Sequence, residues 1–279
     1  MYPTIIDFGH VGNFGPIGIH SYGLMLATAF ITSTFVIQHE LKRRGFVSDV
    51  AGTIAIAAAA GGIVGAKIYA ALLDGEFTLE ELFSTSGLVW YGGFIGGCLG
   101  VYIVVHLSPN PTLATIDIIG PTLLLGYGIG RIGCLLAGDG DYGPPSDLPW
   151  AMAFPNGTVP TDVPVHPTPI YETLVSFTFF GILWSQRRKL EDIPGVLFGA
   201  SLILLGVERF FMEFWRTTPR VWGWMTGAQL FSIVAFIVGI VLIFWARSRP
   251  PIEAAAAVVE TEVEPTKQAS PPRKRRRRR

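Results

Sequence analysis

The sequence predicts an all-α, polytopic membrane protein of seven transmembrane helices, with its N-terminus outside and its C-terminus cytoplasmic. Three observations carry this prediction. Half of the 279 residues are hydrophobic and only 15% are charged, against about 25% charged in an ordinary soluble domain. Mean hydropathy is +0.46. The apolar residues gather in continuous runs close to the roughly 20 residues a spanning helix needs, not in the short alternating segments of a barrel.

Residues 1–20 contain no Lys or Arg and are rich in Gly and Pro. They read as an external loop or surface segment rather than a signal peptide, which needs a basic n-region. Apolar spans follow at about 21–41, 51–73, 88–107, 114–137, 169–186, 194–215 and 226–246. The second is rich in Ala and Gly, a composition suited to close helix packing. Residues 21–248 therefore form one membrane domain. Residues 249–279 are Ala, Glu, Pro and Ser followed by seven basic residues at 273–279, a composition unable to bury a core. This basic tail is expected to lie on anionic membrane lipid; no nucleic-acid partner is expected.

Orientation follows from the basic residues, which concentrate in cytoplasmic loops. Lys42, Arg43 and Arg44 follow the first span. Arg187, Arg188 and Lys189 follow the fifth, and Arg247, Arg249, Lys267 and the seven at 273–279 follow the last. Sixteen of the 21 basic residues thus lie on one side, which is the cytoplasmic one. The acidic loop between spans two and three and the long loop 138–168 are then external.

Five basic residues escape this rule: Lys67, Arg131, Arg209, Arg216 and Arg220. Intramembrane acids are available at Asp117, Glu172, Glu208 and Glu213, so some of these charges are expected simply to pair. Arg131 stands out within Leu125–Gly143, LGYGIGRIGCLLAGDGDYG. A guanidinium in an apolar segment costs roughly 2.5–3.5 kcal/mol on insertion scales, so it is expected to meet an anion or a wet cavity. Arg209 and Glu213 are four residues apart and share a helix face. Arginine forks match phosphate oxygens bidentately, so Arg131 and Arg209 together make a candidate clamp for a phospholipid headgroup.

Three further stretches are polar where lipid would not favour it: HSYGLM at 20–25, WYGGFIGG at 90–97 and HPTPIYE at 166–172. They contribute Tyr22, Tyr91, the glycines Gly92, Gly93, Gly96 and Gly97, and Glu172. His20 and His166 are additional candidate bases, and a lone Tyr such as Tyr22 is also a common interfacial belt residue. Cys98 and Cys134 read as small packing residues rather than a disulfide. No metal-ligand spacing is present, and no metal or cofactor is expected.

GRIGC followed by GD, YGGFIGG, HSYGLM, HPTPIYE and ERFFMEFWR occur together across the seven spans. In combination they resemble the prolipoprotein diacylglyceryl transferase family over about residues 15–247. The resemblance implies transfer of the diacylglyceryl group from phosphatidylglycerol to the lipobox cysteine thiol of a preprolipoprotein, the first step of bacterial lipoprotein maturation. It also implies the bacterial cytoplasmic (inner) membrane, with the site in the outer, periplasmic half. Arg131 then matches the arginine of the GRxGN signature, Arg209 that of the sixth span, and Tyr22 the tyrosine of the first. Gly92, Gly93, Gly96 and Gly97 match the family's HGGxxGG-type glycines.

The chain also departs from the pattern. Tyr91 stands where the family usually has a histidine that has been proposed as base, Cys134 stands for the signature asparagine, and Leu205 for a tyrosine. Asp139 aligns directly with the signature glutamate, and Asp141 does so if the loop shifts. The candidate catalytic set is Arg131, Arg209, Tyr91 and Tyr22. The substrate-binding set is Arg131, Arg209, the four glycines, Cys134, Asp139, Glu172 and Glu213. The departures leave an alternative: a paralogue that binds phospholipid without this chemistry, or transfers to a different acceptor.

Overall fold

The computed structural model describes residues 1–11, 14–74 and 90–249. The acidic stretch between the second and third spans, at Glu76, Glu80 and Glu81, and the basic tail lie outside the described residues. Seven α-helices occur among them: α1 Ser21–Arg43, α2 Val50–Asp74, α3 Trp90–Leu107, α4 Thr112–Ala137, α5 Thr168–Leu190, α6 Val196–Met212 and α7 Gly227–Arg247. Each corresponds to one apolar run, its ends differing by no more than four residues. By length and composition, α1, α2 up to Leu72, α4 and α7 can each cross a membrane. The other three are marked down by length or charge. In α6 only 17 residues are helical, and α5 carries Glu172 and a basic last turn, Arg187, Arg188 and Lys189.

The fold is not purely helical. Residues 1–20, expected as a loop, form a hairpin of β1 Thr4–Val11 and β2 Phe14–His20. The β-branched and aromatic residues among the first eight, Thr4, Ile5, Ile6 and Phe8, favour strand despite the surrounding Gly and Pro. Two shorter ladders stand in the loops, β3 Met152–Phe154 with β4 Thr161–Val165 and β5 Arg220–Trp222 with β6 Met225–Thr226. The sixth span also stops early. Its helix ends at Met212 and tightens into a 3-10 turn at Glu213–Trp215, after which Arg216 is extended.

Helix α4 is the most enclosed of the four spanning-length helices, with 61% of its apolar window buried. It packs against α1, α5 and α6. Glycine lets backbones meet where helices cross. A Cβ on Gly65 of α2 would lie 2.2 Å from the carbonyl oxygen of Gly92 in α3, and one on Gly96 2.2 Å from that of Gly61. The α6–α7 crossing is built the same way, at Gly199 and Gly239.

Asp117 of α4, read from sequence as a possible partner for a site arginine, has a structural task. Its two oxygens accept from the backbone N–H groups of Gly195 and Phe198, both at 2.8 Å. It thereby satisfies donors at the start of α6 that the helix itself leaves open. Thr226 and Gln229 form a reciprocal capping box at the start of α7.

Candidate functional site

The C-terminal half of α4 presents Tyr127, Arg131 and Cys134 on one face, at spacings of four and three residues. The helix then stops at Gly138, whose φ of +57° favours glycine, and Gly140 follows at +91°. These two left-handed turns swing Asp139 and Asp141 back over the helix end. The return is pinned by the Thr168 hydroxyl, which donates to the Asp141 carbonyl at 2.5 Å, and by the Gly143 N–H, which donates to the His166 carbonyl at 2.9 Å. Pro167 and Pro169 open α5 just beyond, which carries Glu172 inward on the first turns.

Glu172 is the hub. Its side chain is 0% exposed, and three guanidiniums converge on it. Oε1 accepts from Arg209 Nη1 at 3.1 Å and from the Tyr127 hydroxyl at 2.8 Å. Oε2 faces Arg131 Nε at 3.3 Å and Arg216 Nη1 at 3.4 Å. A second carboxylate, Asp141, bridges Arg131 and Arg216 from the loop side. A third, Glu213, pairs with Arg209 at 2.9 Å and approaches Arg216 at 4.0 Å. Three cations therefore alternate with three anions, so each buried charge faces an opposite one, although neither Glu213 oxygen is hydrogen-bonded. The Arg131 guanidinium also lies over the Tyr127 ring, 4.8 Å from its centroid, a favourable cation–π placement.

Around this cluster the two loop acids differ. Burial pushes the Asp139 carboxyl upward, and the neighbouring Asp141 charge adds to the effect. Burial would push Asp141 upward too, but the Arg131 and Arg216 charges overcome it and hold the carboxyl below its usual range. Asp141, rather than the directly aligned Asp139, is thus the arginine partner.

The structure brings Arg131, Arg209, Glu172 and Glu213 together as the sequence predicts. Cys134 joins them, its Sγ 3.6 Å from Arg131 Nη1 and 3.8 Å from Asp141 Oδ2. Tyr22 is close by on α1, within electrostatic reach of Arg131 and Cys134, where a Cβ on Gly133 would meet its ring at 3.3 Å. The ligand atoms of Cys134, Asp139 and Asp141 lie within 4.8 Å of one another. Two guanidiniums already engage Asp141, so a cation would have to compete with both.

The four glycines also have a packing task. Read from sequence as substrate-binding, Gly92, Gly93, Gly96 and Gly97 all turn toward α2, where Gly61, Gly62, Gly65, Ala58 and Ala66 occupy the space beside them. Their small size serves helix contact on that side. The side chain of Tyr91 lies outside the described residues. Among the other unexplained basics, Arg220 falls exposed on β5 and Lys67 is buried within α2.

Sequence reasoning missed Tyr127. Its only signal was a spacing of one turn before Arg131. Arg216 was noted as unexplained but not assigned to the site, because the extended residue after α6 is what turns it inward. An apolar cavity of about 260 Å³ between α1, α2, α3 and α4 reaches this cluster at Tyr127 and Gly126, with Ser33 and Thr122 among its few polar walls.

The sequence profile described as prolipoprotein diacylglyceryl transferase matches residues 10–245. Similar proteins carry the name phosphatidylglycerol–prolipoprotein diacylglyceryl transferase. One from Clostridium tetani is 32% identical over 229 residues, covering 80% of this chain and 91% of that protein. One from Pseudomonas putida is 30% identical over 252 residues, with 85% and 93% covered. A third, from Pseudomonas paraeruginosa, is 31% identical over 264 residues, with 87% and 95% covered. A profile match over most of the chain, and relatives aligned over nearly their whole length, make this chain a member of the prolipoprotein diacylglyceryl transferase family.

Proposed function

We propose that this chain transfers the diacylglyceryl group of phosphatidylglycerol to the lipobox cysteine thiol of a preprolipoprotein. One observation carries the reading furthest: three guanidiniums, from Arg131, Arg209 and Arg216, are held around one fully buried carboxylate in a chain whose relatives are named for a phospholipid donor. The reaction displaces phosphate from a glyceryl carbon by sulfur. Negative charge gathers on the leaving phosphate, and fixed cations placed there favour the transition state most. Arg131, Arg209 and Arg216 supply them, while Glu172 and Tyr127 hold the forks in place. The apolar cavity that ends at Tyr127 offers the lipid's chains a place beside its headgroup.

We further infer that all seven helices cross the bacterial cytoplasmic membrane, with the N-terminus outside and the site in the outer half. The excess of Lys and Arg after the first, fifth and seventh spans supports this orientation. It also supports an external segment at 1–20, a membrane domain at 21–248 and a cytoplasmic tail at 249–279.

Incubating the purified protein with phosphatidylglycerol and a lipobox peptide tests the reading. A thioether product with stoichiometric glycerol phosphate is the expected result. Binding of phosphatidylglycerol without turnover, or headgroup release without peptide modification, would instead identify a binding protein or a transferase with another acceptor. Cys134 and Tyr91, which replace the family's usual residues, are the positions that keep that second reading in view.

A further inference from the structure

We propose that Asp141 occupies the place of the substrate phosphate, is displaced by it, and then takes the proton of the acceptor thiol. The inference rests on the transferase reading and adds to it an identity for the proton acceptor.

The charge balance makes a displacement necessary. Each of the three guanidiniums already faces carboxylates, so an arriving phosphate finds no idle fork. Glu172 and Glu213 cannot give way, since both side chains are 0% exposed and carried on helical turns. The Asp141 side chain is 31% exposed and stands on a loop between Gly140 and Gly143. Its carboxylate spans Arg131 and Arg216, as two oxygens of a phosphate span a pair of guanidiniums. The Thr168 hydroxyl holds its backbone carbonyl, so the side chain can turn away while the loop stays in place.

A carboxylate released in this way faces a spot where this chain's own Cys134 already places an S–H. Cys134 Sγ lies 3.8 Å from Asp141 Oδ2, and both are beside the Arg131 guanidinium. An isolated thiol, with a pKa of about 8.5, lies well above a carboxyl at about 3.9. The transfer is therefore coupled to carbon–sulfur bond formation, the proton leaving as the sulfur pair is drawn onto the glyceryl carbon. In the step itself, the S–H proton passes to an Asp141 oxygen and the sulfur pair forms the bond to the glyceryl carbon. The C–O bond to phosphate breaks, its pair stays on that oxygen, and glycerol phosphate leaves as an anion held by Arg131 and Arg216. Asp141 then loses the proton to water and returns to the two guanidiniums as product departs. The carboxylate is thus free only when the donor lipid is bound.

The test uses full-length wild type, Asp141→Asn and Asp141→Ser, measured for binding of phosphatidylglycerol and of diacylglycerol in detergent and for transfer to a lipobox peptide. Removing the internal competitor should tighten phosphatidylglycerol binding by about five- to tenfold, equivalent to roughly 1–1.4 kcal/mol. Diacylglycerol, which has no phosphate, should bind as in wild type. Transfer at saturating lipid should fall by about 100-fold or more, the usual contribution of a positioned base. Weaker or unchanged phosphatidylglycerol binding in both variants, equal tightening toward both lipids, or intact transfer would each overturn the proposal. Failure of the underlying reading looks different: wild type itself would form no thioether.

Discussion

Two clusters of arginines and carboxylates tie the helices together, and they make different things from the same groups. At the C-terminal ends of α1 and α5, Glu40 is 1% exposed and gathers Arg43 at 2.7 Å, Arg187 at 3.2 Å and Arg44 at 3.6 Å. Glu191 closes the group by pairing with Arg43 and Arg44. At the opposite end of α5, Glu172 plays the hub role for Arg131, Arg209 and Arg216. Both hubs are buried glutamates and both collect three guanidiniums. Both clusters keep buried polar atoms without hydrogen-bond partners, Arg44 Nε and Nη2 in one and both oxygens of Glu213 in the other. Each cluster also has a partly exposed carboxylate just outside a helix, Glu191 at 29% and Asp141 at 31%. What the Glu172 cluster has besides is an apolar cavity that reaches it at Tyr127. An access route, rather than the charges or an exposed acid, separates a site from a clamp.

The sharpest way to break this comparison is Arg131→Ala. It should lower transfer by about 1,000-fold, near the upper range for losing one preorganised donor to transition-state charge, while the protein still reaches the membrane fraction. An active, folded variant would remove the Glu172 cluster from the chemistry. Glu40→Ala is the counterpart at the other end. Taking one partner from a buried ion-pair network costs roughly 3–5 kcal/mol, which should appear as a Tm lower by about 6–20 °C for a chain of this size. Turnover per folded molecule should not change, and a selective loss of turnover would show the two clusters to be coupled.

A smaller effect is expected from Tyr127→Phe. It deletes one of the donors to Glu172 while the guanidiniums remain, and a hydrogen bond to a charged group is worth about 1.5–3 kcal/mol. Transfer efficiency, kcat/KM, should therefore drop by about tenfold or more, with little change in Tm if the remaining pairs hold the helix. The smallest predicted effect separates the two loop acids by sign. The Asp141 carboxyl is held low, so its charge stabilises the fold above its ordinary pKa and the gain is lost as pH falls. The Asp139 carboxyl is held high, so stability is lost as pH rises from the ordinary carboxyl pKa to its folded value and stays lost above it. At neutral pH, thermal melts should place Asp141→Asn below wild type and Asp139→Asn above it, by about 1–3 °C each. The Asp139 difference should close below about pH 4, near the ordinary carboxyl pKa. The Asp141 difference should only begin to shrink there and close below its lowered folded value. Equal shifts of one sign would show that the loop acids share a single environment.

The helices were legible in the sequence because each must present a continuous apolar run, and a run leaves its mark on consecutive residues. The cost of placing a guanidinium in such a run marked Arg131 and Arg209 in the same way, and the four-residue spacing paired Arg209 with Glu213. The N-terminal hairpin was not legible, since the Gly and Pro around its strands carry a turn signal of equal strength. The packing of the α3 glycines against α2 was not legible, because absence of a side chain looks the same whether a ligand or another helix fills the space.

By itself the sequence determined the seven helical segments, the cations too costly to lie in lipid without a purpose, and the motifs that resemble one transferase family. Only the tertiary structure decided that Glu172 is the hub, that Asp141 rather than Asp139 bridges the arginines, and that Tyr127 and Arg216 belong with them. Burial and helix period are properties of neighbouring residues along the chain. The choice among several acids and several arginines depends on how α4, α5 and α6 cross and on how a glycine turn redirects one loop, which no local pattern encodes.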